Sequence, residues 1–376
     1  MTPTPSLPPL LITAGSVLFG SMVGSFLNVC IYRLPRGLSV CSPARSYCPH
    51  CSKTIPWWEN VPILSWLLLR GRCSRCKEAI HVRYLLVEIL TALLFGAAAA
   101  FLPLSSPLLL FPIFTLLGIL IVATFVDMEH MIIPDEITWG GVAAGALFAV
   151  LLPALHHATS ALGGLWLSLL GAAVGYGVLW AVVELGRLVF GKKRTVFHEP
   201  TRVLWRRNGD EAVLTIGADQ TPWGDFFVRG TEQIRMGVRG IAIDGRAVPG
   251  TGILWTLNHM RISTPAGVGE KAVELDRVNE ITLRAQWMLS PREVMGFGDV
   301  KFLAAIGAFL GWEATVFTVA AASCLGTGYG LVTLLMGKRK WPPLPFAPYL
   351  TGGAIAWIID GPRIVEAYLQ LLLPER

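Results

Sequence analysis

Two aspartates sit in surroundings that should exclude a carboxylate. Asp127 follows the apolar run that ends in FV, and Asp299 opens the stretch DVKFLAAIGAFLGW within GFGDVKFLAAIGAFLGW (296–312). A carboxylate at membrane depth costs roughly 2.5–3.5 kcal/mol on insertion scales, so one found there is a functional candidate by default. Two adjacent carboxylates do not easily both ionise. They share a proton, and one acts as general base on a water while the other donates to a carbonyl oxygen, which is aspartic peptidase chemistry. Gly296 and Gly298 suit it, because residues without Cβ let a substrate backbone approach. A proton relay or cation site in a transporter uses the same residue type, and on the residues alone that reading stays open.

The surrounding polar residues have more ordinary expectations. Lys301, the nearest cation to Asp299 in sequence, is expected to snorkel to the interface. Glu129 is close enough in sequence to support Asp127, while Glu129 and His130 otherwise face headgroups. Asp135, after Pro134, is expected to N-cap the next helix. In SPREV, Ser290 as N-cap, Pro291 at the first helical position and Glu293 as capping partner predict a short helix that ends at the GFGD turn.

The second candidate chemistry is metal binding. Cys48 and Cys51 form one C-x-x-C, Cys73 and Cys76 another, with 21 residues between the pairs. Four thiolates so spaced make a tetrahedral, closed Zn²⁺ site that is structural rather than catalytic. Disulfides are the competing explanation, disfavoured if the loop lies in a reducing compartment. His50 and His81 are substitute ligands; Cys30, Cys41 and Cys324 read as small apolar residues or loop thiols. Between the pairs, IPWWENVPILSWLLL is too apolar for a solvated loop, and Trp57, Trp58 and Trp66 suit a membrane interface. Glu59 and Asn60 are its polar side chains and stand either to bind a polar group or to cap a turn after Pro56.

These residues must be positioned by a membrane-embedded chain. Of 376 residues, 53% are hydrophobic and 15% charged, against about 25% charged in soluble domains. Apolar windows at 9–32, 84–102, 107–126, 137–155, 161–190, 299–312, 313–336 and 345–360 predict about eight transmembrane helices. The first lacks a basic flank and cleavage site, so it is read as a retained span. DGPRIVEAYLQLLLPER at the end fits an interface better than a span. Net charge is +6, and Lys and Arg crowd into 33–83, 191–297 and 337–341. On a membrane protein this sets orientation rather than a nucleic-acid partner: the basic segments are cytoplasmic and both termini outside. Asp127 and Asp299 then fall at the same, cytoplasmic, membrane face. GAAVGYG (171–177) reads as small-residue helix packing.

The fold expected is an all-α polytopic membrane protein with two cytoplasmic additions. Its parts are a first span (1–32), a tetra-cysteine loop (33–83), spans two to five with Asp127 (84–190), a β-rich insert (191–295), and spans six to eight with GFGD (296–376). Within the insert, Ile281, Leu283, Ala285 and Trp287 alternate with Glu280, Thr282, Arg284 and Gln286, and Ile234, Met236 and Val238 repeat the pattern. Asn208-Gly209, Asp244-Gly245 and Pro249-Gly250 mark turns. Lys192, Lys193, Arg194, Arg206 and Arg207 suit anionic lipid.

GSFLNVCIYRLP (24–35), the two C-x-x-C pairs around WENVPILSWLLLRGRC, RYLLVE (83–88), DMEHMIIPDEIT (127–138), GFGDVKFLAAIGAFLGW and PFAPYL (345–350) resemble the prepilin peptidases, or type IV leader peptidases. The resemblance implies that Asp127 and Asp299 are the catalytic pair. It implies as substrate a type IV prepilin or a type II secretion pseudopilin, cut after the Gly that ends a short basic leader. The enzyme would sit in the bacterial cytoplasmic membrane, with its active site at the cytoplasmic face and pilus or secretion assembly components as further partners. Relatives with the cysteine loop also N-methylate the new N-terminal residue with S-adenosylmethionine. Glu59, Asn60, Arg83 and Glu88 are the polar residues at matching positions for that activity. No glycine-rich dinucleotide-type fingerprint accompanies it.

Overall fold

The computed structural model describes residues 9–43, 45–102, 106–190, 192–208, 211–217, 219–227, 233–263, 270–291, 295–336 and 345–372. Two units divide the chain: Met1–Ala181 with Gly296–Arg376, and Val182–Met295. The basic GKRKW segment, Glu293 and Gly209 lie outside the described residues.

The first unit is helical: α1 (Pro9–Arg33), α2 (Leu64–Leu68), α3 (Arg83–Phe101), α4 (Leu110–His130), α5 (Asp135–Leu151), α6 (Ala161–Phe190, entering the second unit at its end), α7 (Phe297–Leu310), α8 (Trp312–Leu335) and α9 (Ala347–Leu372). Among the described residues, five helices are long and apolar enough to cross a membrane: Pro9–Arg36, Arg83–Phe101, Pro107–His130, Ala161–Gly186 and Trp312–Leu335. Leu10, Leu18, Leu93, Phe101, Leu162 and Leu335 lie on their exposed sides, as an apolar solvent requires. The long helix α9 is interrupted at Asp360 (φ −161°, ψ 27°), two residues before Pro362. That break falls where the sequence stops looking like a span.

The most enclosed helix is α7, with Val300, Phe302, Leu303, Ala305, Ile306 and Ala308 fully buried. Only 14 residues long, it is reached at backbone distance by two glycine faces. A Cβ on Gly141 or Gly145 of α5 would come within 2.9 or 2.8 Å of Ala305 or Ala308, and one on Gly175 of α6 within 2.6 Å of the Leu303 carbonyl oxygen. Gly171 meets Gly307 in the same way. Close approach of small residues is how helices gain dispersion contact where lipid offers no hydrophobic drive. Here it builds a tight sleeve around the helix that carries Asp299.

The second unit is β-rich, as the alternating pattern in 191–295 led one to expect. It is an antiparallel sheet of β1 (Lys192–Asn208), β2 (Glu211–Ile216), β3 (Asp219–Pro222), β4 (Ile234–Ile243), β5 (Arg246–Val248), β6 (Gly252–Trp255), β7 (His259–Ser263), β8 (Glu270–Glu274) and β9 (Glu280–Pro291). The order is β3-β2-β1-β9-β4-β6-β7-β8, with β5 on β4. Ile281, Leu283, Ala285, Ile234, Met236 and Val238 enter its core with Trp205 and Trp255. Alternation on β9 fails at Trp287, because the β4 pairing shifts register between Gly237 and Val238. The indole of Trp287 then lies over Gly237, and Arg194 sits 5.4 Å above its ring. Asp244 (φ 48°) and Gly245 (φ 78°) form the two-residue turn joining β4 to β5; both residues left-handed is the type I′ geometry that matches strand twist. Ser290 and Pro291 do not cap and open a helix as expected: they pair with Lys193 and Lys192 in the ladder, and the rest of SPREV, 292–294, lies outside the described residues. Strand pairing satisfied that backbone before a local cap did.

Candidate active site and metal centre

Asp127 lies in the last turn of α4, and Asp299 is the third residue of α7, whose N-cap is Gly296. Both side chains are buried, at 6% and 8% exposure, on the helices α4 and α7, which pack against each other. Residues 172 positions apart are thus brought together. Asp127 Oδ2 accepts the Ala347 main-chain N–H at 3.0 Å, whereas Asp299 Oδ1 is buried without a hydrogen-bond partner. The glycines of GFGD have distinct jobs. A Cβ on Gly296 would lie 3.6 Å from Asp299 Oδ2, beside the carboxylate, and one on Gly298 would press to 3.2 Å on Ile133. Gly298 therefore lets α7 start against the IIP segment that follows Asp127.

The neighbouring charges pair with each other and not with the aspartates. Lys301 Nζ reaches the exposed Asp135 Oδ1 at 2.6 Å and lies 5.6 Å from the Phe297 ring, so it bridges α7 to α5. Asp135 is the first helical residue of α5 after N-cap Pro134 and makes no cap bond. Glu129 forms an ion pair with Arg83, which also stacks 5.0 Å from Tyr84. His130 Nε2 is buried without a partner.

The four cysteines Cys48, Cys51, Cys73 and Cys76 are free thiols whose sulfurs all lie within 4.8 Å of one another. Cys48 and Cys76 Sγ are 3.8 Å apart. A disulfide needs about 2.05 Å, while Zn–S bonds of about 2.3 Å in a tetrahedron set sulfurs about 3.8 Å apart. Each pair sits in the same loop. Cys48 N–H donates to the Lys53 carbonyl and Ser52 N–H to that of Cys48; Cys73 N–H donates to Glu78 and Lys77 N–H to Cys73. Ser52 and Lys77 both turn left-handed, at φ 55° and 61°. Main-chain N–H groups of Cys76 and Arg75 pull the Cys73 thiol down to about 6, favouring the thiolate that binds metal. The set fits Zn²⁺. His50 and His81 are not part of it; His81 Nδ1 instead accepts the Arg83 N–H.

Beside the metal site is a cavity of about 300 Å³ between the cysteine loop, α1 and α3. Its lining includes Asn28, Glu59, Asn60, Tyr84 and Glu88, but not Arg83. Glu59 accepts from Ser74 Oγ at 2.6 Å and is the last residue of the turn after Pro56, whose C-cap is Asn60; its side chain lines the cavity and caps nothing. Glu88, 8% exposed, accepts the Ile63 N–H at 2.7 Å. Asn28, 1% exposed, donates to the Tyr84 carbonyl at 3.0 Å, while its Oδ1 is unpartnered. Sequence reasoning passed over Asn28 and Ala347. Asn28 carried a signal, as an amide inside an apolar span; Ala347 acts through its backbone and carried none.

Residues 18–102 match the Bacterial Peptidase A24 N-terminal domain, and residues 114–194 and 247–331 the Type IV leader peptidase family. The unmatched 195–246 holds most of β1 through β4. A prepilin leader peptidase/N-methyltransferase of Aeromonas hydrophila is 30% identical across 95% of this chain and 93% of its own. One of Stutzerimonas stutzeri is 28% identical across 98% and 99%. One of Dichelobacter nodosus is 39% identical across 47% of this chain and 67% of its own. No solved structure matches significantly. With a relative at this identity over nearly the full length of both chains, and family matches on both halves of the aspartate pair, the chain belongs to the type IV leader peptidase family.

Proposed function

We propose that the protein is a prepilin leader peptidase that cuts type IV prepilins or pseudopilins after the Gly ending their leader, and N-methylates the residue so exposed. The observation that carries the first activity is the buried pair Asp127 and Asp299, from helices far apart in sequence. One carboxylate takes a proton from water as its oxygen bonds to the scissile carbonyl carbon; the other carboxyl gives its proton to the carbonyl oxygen. The room beside Asp299 at Gly296 suits an incoming peptide backbone.

For methyl transfer, the reading is supported by the relatives' printed names and by the cavity beside the cysteine loop. Its volume reaches the lower end of ligand pockets, about 300–1,000 Å³. Asn28 Oδ1, Glu59 and Glu88 offer acceptor groups in a lining that also carries the cations Arg33, Lys53 and Arg75, a mixed set suited to a ligand with charges of both signs. S-adenosylmethionine, when bound, supplies an electrophilic methyl group. Zinc held by Cys48, Cys51, Cys73 and Cys76 is structural, a closed four-sulfur site that shapes the cavity wall. Arg83, tied to Glu129, belongs to the scaffold of this region. In the membrane we read eight spans, α1 and α3 to α9, with the cysteine loop, the sheet and the aspartates on the cytoplasmic side.

The test is purified protein in detergent with a synthetic prepilin, followed by mass. Wild type should remove the leader and, with S-adenosylmethionine added as methyl donor, then add one methyl group; Asp127→Asn and Asp299→Asn should do neither. Cleavage surviving in either variant would end the peptidase reading. Replacing the four cysteines by serine should abolish methylation.

A further inference from the structure

PFAPYL (345–350) has no part in the reaction as written above. It nevertheless delivers main-chain N–H groups to Asp127: Ala347, first residue of α9, donates its N–H to Asp127 Oδ2 at 3.0 Å, and the Phe346 main chain also bonds to this carboxylate. One turn further along, Thr124 Oγ1 donates to Thr351 Oγ1 at 2.8 Å, and Thr351 donates to the Leu120 carbonyl at 3.4 Å. Thr124 lies three residues before Asp127 and Thr351 four after Ala347, so the two hydroxyls clip the first turn of α9 to the last turns of α4. A hydrogen bond to the ionised form favours that form, and a helix N-terminus does the same. Asp299 sits in the first turn of α7, yet its Oδ1 has no donor although buried.

Resting on the peptidase reading, we propose that the first turn of α9 polarises the pair. Ala347, held by Thr124 and Thr351, keeps Asp127 as the ionised partner and leaves the shared proton on Asp299. Asp127 takes the proton of the attacking water as its oxygen bonds to the carbonyl carbon. Asp299 gives its proton to the carbonyl oxygen, and a neutral gem-diol results. On collapse, the C–N bond breaks, Asp127 passes its proton to the leaving nitrogen, and a diol hydroxyl returns one to Asp299. Among the described residues, several charges on the helices around α4 are engaged elsewhere. Arg33 of α1 donates to three backbone carbonyls, Arg83 of α3 holds Glu129, Asp135 of α5 holds Lys301 of α7, and the first turn of α9 has no acidic residue. His130 follows on α4 itself.

Ala347→Pro removes the N–H at a first helical position, where proline is tolerated, and Thr351→Val removes the clip. Each is measured in the full chain as kcat/KM for leader removal against pH, alongside thermal melting. The acid limb should move to higher pH by about one unit for Ala347→Pro, roughly a tenfold loss on the acid side, and in the same direction for Thr351→Val. The alkaline limb and KM should hold. If Ala347→Pro does not fold, Thr351→Val decides. Folded variants with unmoved limbs, or a moved alkaline limb, overturn the polarity while inactive Asp127→Asn and Asp299→Asn leave the peptidase reading intact. Cleavage by those two variants instead removes the reading beneath it.

Discussion

Glu88 accepts the N–H of Ile63, which is held at φ 65°, a region β-branched residues rarely enter. Glu88→Ala strands that N–H and should cost roughly 1–3 kcal/mol; Glu88→Gln, which keeps an acceptor, should lose clearly less. Thermal melting of the two decides, and equal losses would refute the assigned role. Lys301 and Asp135 make the opposite case. Asp135 is 64% exposed, so breaking the pair with Asp135→Asn should shift stability by less than about 1 kcal/mol. In the sequence Glu88 and Lys301 were visible as charges out of place. Their partners were not, because Ile63 and Asp135 are 25 and 166 residues away.

At the scale of elements, the cysteine knuckles were legible since their spacing alone sets four sulfurs around one point. One zinc per chain is expected by elemental analysis, with Cys73→Ser or a strong chelator removing it and lowering the melting temperature; full retention in Cys73→Ser would exclude the four-sulfur site. The enclosed helix α7 offers a pH test. His156 Nε2 lies 3.1 Å from the Ala308 carbonyl, and burial pushes its imidazole below the usual histidine value. The folded protein resists a proton that the unfolded chain accepts. Stability should therefore be full above about pH 6.5 and fall as pH drops toward the folded value. His156→Gln should flatten that slope in melting curves. The glycine faces around α7 were partly legible as GAAVGYG, but only packing told which helix they admit.

For the molecule as a whole, the sheet has its own core, with Trp205, Trp255, Ile234 and Ile281 all but fully buried. Residues 192–291 produced alone should give a cooperative melt and strand-type circular dichroism, and Trp255→Ala should cost about 3–5 kcal/mol. A segment that stays unfolded alone would show that the strands depend on the helices. Orientation is a separate prediction. A periplasm-dependent reporter fused after His157 should be active and one fused after Asn60 inactive, and the reverse would invert the reading from basic loops.

Composition, the two aspartates in apolar runs and the C-x-x-C pairs determined by themselves that the chain is membrane-embedded, carries two carboxylates where a carboxylate is costly, and is able to hold a metal. Those follow from residue type and short spacing, which a linear reading contains. Tertiary structure alone decided that Ser290 and Pro291 join a strand, that Lys301 holds Asp135, and that a backbone N–H of α9 meets Asp127. Such outcomes depend on which distant group reaches a buried donor or acceptor first, and main-chain donors are the same in every residue except proline.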